Sequence, residues 1–154
     1  MGTDQRLTAV AGGVSNLSWS PDGRALAAVA TTKSGTAATH AVLFVHVSED
    51  GKMNGTPRFV PTGSAWDLHW LPDSRGVLVL DNAADRSRVL RVPMEEGQQS
   101  TSLSPNERNK FWDQFPSPDG RYVAIPVEQF GSSTLLSFDI EAAAKAWQVK
   151  RDQR

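Results

Sequence analysis

The residues that could act as nucleophiles or metal ligands are few, and their spacing does not fit catalysis. The histidines are His40, His46 and His69, and none stands at a His-x-x-x-His spacing with a nearby carboxylate. No Gly-x-Ser-x-Gly elbow and no glycine-rich phosphate loop occurs. Cysteine is absent, which excludes disulfides and thiol catalysis. The sequence therefore predicts no catalytic residue, no metal site and no cofactor.

Three aspartates recur in one local motif and invite a calcium or acid–base interpretation. The motif is Pro-Asp-(Gly or Ser)-Arg, with Pro21, Asp22 and Arg24, then Pro72, Asp73 and Arg75, then Pro118, Asp119 and Arg121. An aspartate after a proline commonly hydrogen-bonds the backbone of a tight turn, so we favour a structural role. We also expect local Asp–Arg pairs, which contribute only about 0 to 1 kcal/mol when exposed.

A second polar set is more suggestive of function. Asn16, Asp67 and Asp113 stand five positions before the three turn prolines, and Trp66 and Trp112 directly precede the two aspartates. Polar groups beside exposed aromatic side chains can form a binding surface. The alternative is that these residues cap loops and pack between structural units.

Both sets belong to a repeat that organises most of the chain. The copies span residues 16–24, 67–75 and 113–121, and their prolines at 21, 72 and 118 lie 51 and 46 residues apart. Apolar runs rich in Val, Leu and Phe follow each copy, separated by Gly and Pro, which is typical of short strands joined by turns. Each unit is predicted to contain four strands, the last at 58–61, 100–103 and 146–150.

The string Trp-Ser-Pro-Asp-Gly-Arg at 19–24, with its two relatives, resembles the Trp-Asp-like β-propeller repeats of the Tol translocation protein and of prolyl-oligopeptidase-type peptidases. Similar blades are appended to some bacterial serine/threonine kinases and transcriptional regulators. The resemblance covers residues 14–140 and implies an all-β fold of three four-stranded antiparallel blades. A closed ring needs about four to eight blades, so the resemblance implies a partial propeller. The turn aspartates of different blades would then lie far apart.

On this basis the chain divides into residues 1–13, which end a preceding blade or close the ring, and blades at 14–64, 65–110 and 111–154, the last with a tail. An Ala-rich stretch with Glu141 and Lys145 predicts a short helix at 141–146. Pro116 replaces the tryptophan of the other units, which predicts a register shift there, and Ser74 in place of glycine predicts a different second turn. The predicted core comprises Trp19, Leu26, Val29, Leu43, Val45, Trp70, Leu78, Leu80, Leu90, Val123, Ile125, Leu136 and Phe138.

Composition limits the partners. The chain has 154 residues, of which 39% are hydrophobic and 21% charged, so it can bury a core. Sixteen basic against 17 acidic residues give a net charge of −1, without the basic footprint that nucleic acid requires. No apolar stretch approaches a membrane span, and residues 1–6 form no signal core, so we expect no membrane insertion and a cytoplasmic chain, or a periplasmic one if it was cut from a secreted precursor.

The resemblance and the missing catalytic motifs predict a non-catalytic binding or scaffold module of a larger bacterial protein, with a protein or peptide partner. The alternative is an accessory propeller segment of a prolyl-oligopeptidase-type hydrolase or a protein kinase whose catalytic domain lies outside this chain. Three blades leave two open sheet faces, and apolar faces are rarely left to water. We therefore also expect a homodimer that completes a ring.

Overall fold

The computed structural model describes residues 7–10, 12–34, 37–83, 86–104, 111, 113–129 and 132–152. Within these ranges the chain forms three antiparallel sheets and one C-terminal helix. The predicted antiparallel β-structure is thereby confirmed. No helix in the described part of the chain is both long and apolar enough to cross a membrane.

Each sheet is a meander in which every strand pairs with the next one along the chain. Sheet 1 contains β1 (Gly13–Trp19), β2 (Ala25–Ser34), β3 (Ala37–His46) and β4 (Arg58–Gly63). Sheet 2 contains β5 (Ala65–Trp70), β6 (Gly76–Ala83), β7 (Arg86–Pro93) and β8 (Thr101–Ser102). Sheet 3 contains β9 (Phe115–Pro116), β10 (Tyr122–Gln129) and β11 (Ser132–Asp139).

The third sheet has three strands, so the prediction of a fourth strand at 146–150 is wrong. Helix α1 (Ile140–Asp152) occupies that segment, because its alanines, glutamate and lysines favour a helix over a strand. Asp139 caps the helix, its Oδ1 accepting the N–H of Ala142 at 2.9 Å. Ile140 is buried in the core beneath sheet 3, which anchors the first turn. The predicted short C-terminal helix is confirmed and is longer than expected.

Apolar cores cover both faces of sheet 2. On one side Trp70 meets Phe44 of sheet 1 edge to face, with ring centroids 5.8 Å apart. On the other side Leu78 and Leu80 pack with Val123 and other residues of sheet 3. Of the predicted core, ten residues are buried, namely Leu26, Val29, Leu43, Val45, Trp70, Leu78, Leu80, Leu90, Val123 and Ile125. Leu136 and Phe138 are partly buried against the second core.

Trp19 is the exception, and its assignment to the core is wrong because the residue is 53% exposed. It pairs with Leu26 across β1 and β2, so the two side chains share the outer face of sheet 1. Trp70, its equivalent in the repeat, faces the preceding sheet and is buried there. No described sheet precedes sheet 1, so the same position in β1 lies in solvent.

The Pro-Asp turns follow one backbone pattern in all three sheets. Oδ1 of each turn aspartate accepts the N–H of the arginine two residues later at 3.0 Å. Gly23, Ser74 and Gly120 take φ of 70°, 59° and 71°, so the prediction of a different second turn is wrong. Ser74 adopts the left-handed conformation that glycine tolerates more readily.

The expected side-chain pairing between turn aspartates and arginines is not formed. Among the described residues, no guanidinium group of Arg24, Arg75 or Arg121 makes an ion pair with the aspartate of its own turn, since the contact runs through the arginine backbone. The side chain of Arg121 instead lies 3.4 Å from Asp139 and 5.0 Å from the ring centre of Tyr122. The turn motif therefore acts through hydrogen bonds to the backbone, and not through ion pairs between its side chains.

Neighbouring turns touch, so the expectation that they lie far apart is also wrong. The N–H of Asp22 donates to Oγ of Ser74 at 3.1 Å, which joins the first turn to the second. A Cβ added at Gly120 would lie 3.0 Å from Cδ of Pro72, which shows how closely the third turn approaches the second. The three turns form one continuous edge of the molecule.

Candidate functional site

The polar residues that precede the turns lie at the first strands of the sheets, and two of these strands are irregular there. The register of β1 against β2 shifts between Ser15 and Ser18, and that of β5 against β6 shifts between Ala65 and Asp67. A bulge bends a strand and re-aims its side chains, and bulges are frequent beside functional sites. The irregularities fall on the segments that contain Asn16 and Trp66.

The two bulges are joined directly. Asn16 has φ of 51°, a left-handed conformation that asparagine adopts more readily than most residues. Its Nδ2 donates a hydrogen bond to the backbone carbonyl of Trp66. The indole of Trp66 is 64% exposed. The predicted irregularity in the third unit is not observed, because Phe115 and Pro116 pair with β10 without a shift.

Asp67, His69 and Asp113 form a compact group, here called the polar cluster. His69 Nε2 lies 3.1 Å from Asp67 Oδ2 and 3.8 Å from Asp113 Oδ1. Asp67 and His69 are two residues apart on β5, so both side chains lie on one face of the strand. Asp113 reaches them from the segment that leads into sheet 3. One oxygen from each carboxylate and one imidazole nitrogen all lie within 4.8 Å of one another.

Neighbouring groups orient the polar cluster and leave it accessible. Asp113 Oδ1 accepts the N–H of Gln114 at 2.8 Å. The ring of Phe115 lies 6.3 Å from that of His69, centroid to centroid, and is tilted by 41°. The side chains of Asp67, His69 and Asp113 are 25%, 38% and 42% exposed. The arrangement is thus a half-buried charged group flanked by aromatic surface.

The hydrogen bond between Asp67 and His69 is the main cause of the pKa shifts of these two groups. The hydrogen bond from His69 lowers the pKa of Asp67 below its ordinary value, against the opposing effect of burial. The same hydrogen bond raises the pKa of His69, and the charges of Asp67 and Asp113 add to that effect while burial opposes it. Within the described ranges, His69 is the only cationic side chain within 4.0 Å of either carboxylate.

We expect the interaction of His69 with Asp67 to contribute to the stability of the folded protein in a pH-dependent way when no metal ion is bound. Because the folded pKa of His69 is raised above its ordinary value of 6.5, the stabilisation is fully present below about pH 6.5 and is lost as the pH rises through the folded pKa. Asp67→Asn should lower the pKa of His69, since it removes the main cause of the shift. An NMR titration of the His69 ring measures this, with Asp73→Asn as control. An unchanged His69 pKa in Asp67→Asn would contradict it.

The structure brings together some, but not all, of the residues predicted to form the interaction surface. It brings Asp67 and Asp113 together, and it ties Asn16 to the backbone of Trp66. Trp112 lies outside the described residues. Spacing along the sequence does not single out His69 as a candidate ligand, because its second acidic neighbour, Asp113, comes from a different repeat. The alternation of Asp67 and His69 on one strand was the available signal.

The sequence matches no protein-family model and no curated protein. Among solved structures, the chain is similar to hydrazine synthase of Kuenenia stuttgartiensis, with a TM-score of 0.60 over 86% of this chain. The sequence identity is 18%, and the match covers 41% of the hydrazine synthase chain. This chain therefore spans less than half the length of that structural relative, and the likeness is one of fold alone.

Proposed function

We propose that the chain is a non-catalytic binding module built from three propeller-type blades, and that the polar cluster with Trp66 and Phe115 is its binding surface. One observation carries this proposal. Asp67 and Asp113, which occupy equivalent positions in the repeat, converge on one histidine across two sheets. Loop capping alone does not require residues of different repeats to meet.

The blade arrangement is supported by the way the sheets stack. Each is an antiparallel meander, and sheet 2 packs face to face on sheets 1 and 3. The first strands β1 and β5 are tied together where Asn16 bonds Trp66. In a propeller, blades surround a central channel, and side chains of successive first strands meet there. A ligand at the polar cluster would then contact several blades at once.

Binding fits this surface better than catalysis. The exposed ring of Phe115 offers flat apolar area beside fixed charges, a combination common in recognition surfaces, and the exposed Trp66 directly precedes Asp67 on β5. The imidazole of His69 is hydrogen-bonded to Asp67, and within the described part of the chain no serine or threonine hydroxyl bonds to it. The cluster therefore has no activated nucleophile of the Ser–His kind.

Selection of random linear peptides displayed on phage tests this function. We expect selected peptides to lose at least about tenfold in affinity, equivalent to about 1.4 kcal/mol, when Asp67→Asn and Asp113→Asn are combined. The matched control is Asp73→Asn, which changes an exposed turn aspartate and should leave affinity unchanged. A library that yields no peptide dependent on the cluster contradicts the proposal.

We also propose that a second copy of the chain covers the outer face of sheet 1. Leu7 and Val10 pack on part of that face, beside a groove of about 380 Å³. Leu17 and Trp19 are left 64% and 53% exposed there. Trp70 shows how this repeat position packs when a sheet precedes it. The outer face of sheet 3 exposes Tyr122 and Leu135, the latter 72% exposed. These residues offer apolar surface that could pack on the outer face of sheet 1 in a second copy.

We therefore expect a homodimer in solution, measured by light scattering over a range of concentrations. Leu17→Glu should shift the protein towards the monomer, because a charge buried at such an interface is costly. Val149→Glu is the control, since Val149 is similarly exposed but lies on α1. A wild-type chain that stays monomeric at high concentration would rule out this arrangement.

A further inference from the structure

We infer that the polar cluster is a binding site for a divalent first-row transition metal ion, with Zn²⁺ the best fit. Its ligands are Asp67 Oδ2, His69 Nε2 and Asp113 Oδ1. The inference rests on the proposed function, since it names a ligand class for the same surface. It adds a chemical identity that neither the repeat nor the spacing of residues along the chain predicted.

The distances already approach those of a coordination sphere. Zinc ligands lie about 2.0 to 2.2 Å from the ion, so two donor atoms of a tetrahedral site are about 3.4 Å apart. The separations from His69 Nε2 are 3.1 Å to Asp67 Oδ2 and 3.8 Å to Asp113 Oδ1, which bracket that value. Small rotations of the carboxylates would therefore complete three sides of a site.

The charge balance of the cluster favours a cation. Two carboxylates face at most one positive charge, that of protonated His69, and no described lysine or arginine lies within 4.0 Å of them. A divalent ion would replace the proton on Nε2, release it to solvent and neutralise both carboxylates. This exchange removes the like-charge repulsion between Asp67 and Asp113.

The surroundings provide features that metal sites share. Ligating carboxylates are usually held by further hydrogen bonds, as the N–H of Gln114 holds Asp113. The ring of Phe115 lies beside the imidazole of His69. The partial exposure of the three ligands gives an ion a route of entry and leaves coordination positions open to water or to a ligand group.

The donor set selects the type of ion. Mg²⁺ and Ca²⁺ prefer all-oxygen coordination, whereas an imidazole nitrogen favours zinc and its transition-metal neighbours. The positions of Asp67 and His69, two residues apart on one face of β5, fix two donors on a rigid element. Asp113 then supplies the third donor from the next repeat.

Calorimetric titration of the full chain with ZnCl₂, in a chelator-free buffer, tests the inference. We expect one ion per chain and an affinity at least about tenfold lower in Asp67→Asn, His69→Gln and Asp113→Asn, because loss of a ligand should exceed the 10- to 100-fold cost of losing a supporting contact. The control is His46→Gln, which removes an exposed histidine of β3 and should bind normally. Mg²⁺ and Ca²⁺ should bind more weakly than Zn²⁺. Cobalt substitution provides a second readout, as a tetrahedral absorption spectrum that the three variants lose.

No binding by the folded wild type, equal weakening in His46→Gln, or undiminished binding in the three variants would each overturn the site. Circular dichroism of every variant establishes that it is folded. Peptide selection repeated with a chelator separates the two proposals. Zinc binding without any cluster-dependent peptide upholds the metal site and rejects peptide recognition, whereas peptide binding without zinc binding does the reverse.

Discussion

Trp70→Ala is expected to lower the free energy of unfolding by about 3 to 5 kcal/mol, the range for removing a large buried aromatic side chain. Trp70 is 7% exposed and meets the ring of Phe44 edge to face. Its Nε1–H also donates to the carbonyl of Ser18 at 3.0 Å, which ties β5 to β1. Alanine would leave a cavity between sheets 1 and 2 and remove this hydrogen bond.

Trp19→Ala is the matched control, with an expected cost below about 1 kcal/mol because the same repeat position is 53% exposed in β1. Urea unfolding at low protein concentration measures both variants where self-association is negligible. Domains of this size have about 5 to 15 kcal/mol of stability, so the Trp70 variant should show an obvious shift of the midpoint. Equal losses for the two tryptophans would contradict the burial that the structure assigns them.

Arg88→Met is expected to cost about 3 to 5 kcal/mol, because it strands a buried charge. The side chain of Asp81 is only 2% exposed. Its Oδ2 accepts hydrogen bonds from Arg88 Nε, at 3.0 Å, and from the same guanidinium through its terminal nitrogen. Methionine matches much of the arginine stem but leaves the carboxylate without its counter-charge.

Arg91→Met is the control for this second prediction. Arg91 lies on the same strand with a similarly exposed side chain, 31% against 30%, but its partner Glu141 is 66% exposed. Exposed pairs contribute about 0 to 1 kcal/mol, so this variant should unfold near the wild-type denaturant concentration. Asp81→Asn combined with Arg88→Met should recover part of the loss, because it removes the stranded charge. A loss in Arg88→Met no greater than that in Arg91→Met would show that Asp81 is not buried as described.

The repeat predicted the turns and most of the core, because these depend on residues close in sequence. It failed where a neighbouring sheet decides the outcome. Trp19 and Trp70 occupy the same motif, yet only Trp70 has a preceding sheet to cover it. The strand predicted at 146–150 failed for a different reason, since the alanines, glutamate and lysines of the segment favour a helix, which the Asp139 cap and the burial of Ile140 stabilise further.

In the candidate site, too, the sequence predicted local features but not the contacts that depend on neighbouring sheets. The period of the repeat identified Asp67 and Asp113 as equivalent, but only the stacking of the sheets brings them to His69. The bulges in β1 and β5 left no signature in the sequence, since their residues are ordinary strand and loop types. Ser74 is the opposite case, since the sequence changes there from glycine to serine while the backbone of the turn keeps the left-handed conformation.

The single residue between sheets 1 and 2 bears on how such arrays can be recombined. Ser64 is held at both backbone groups by β6, its N–H by Oδ1 of Asp81 at 2.9 Å and its carbonyl by the N–H of Asn82 at 3.0 Å. A designer who excises the second unit at Ala65 would discard a residue that this unit holds. Grafts that carry Ser64 with sheet 2 keep both hydrogen bonds. The natural unit for shuffling or duplication therefore begins one residue before β5.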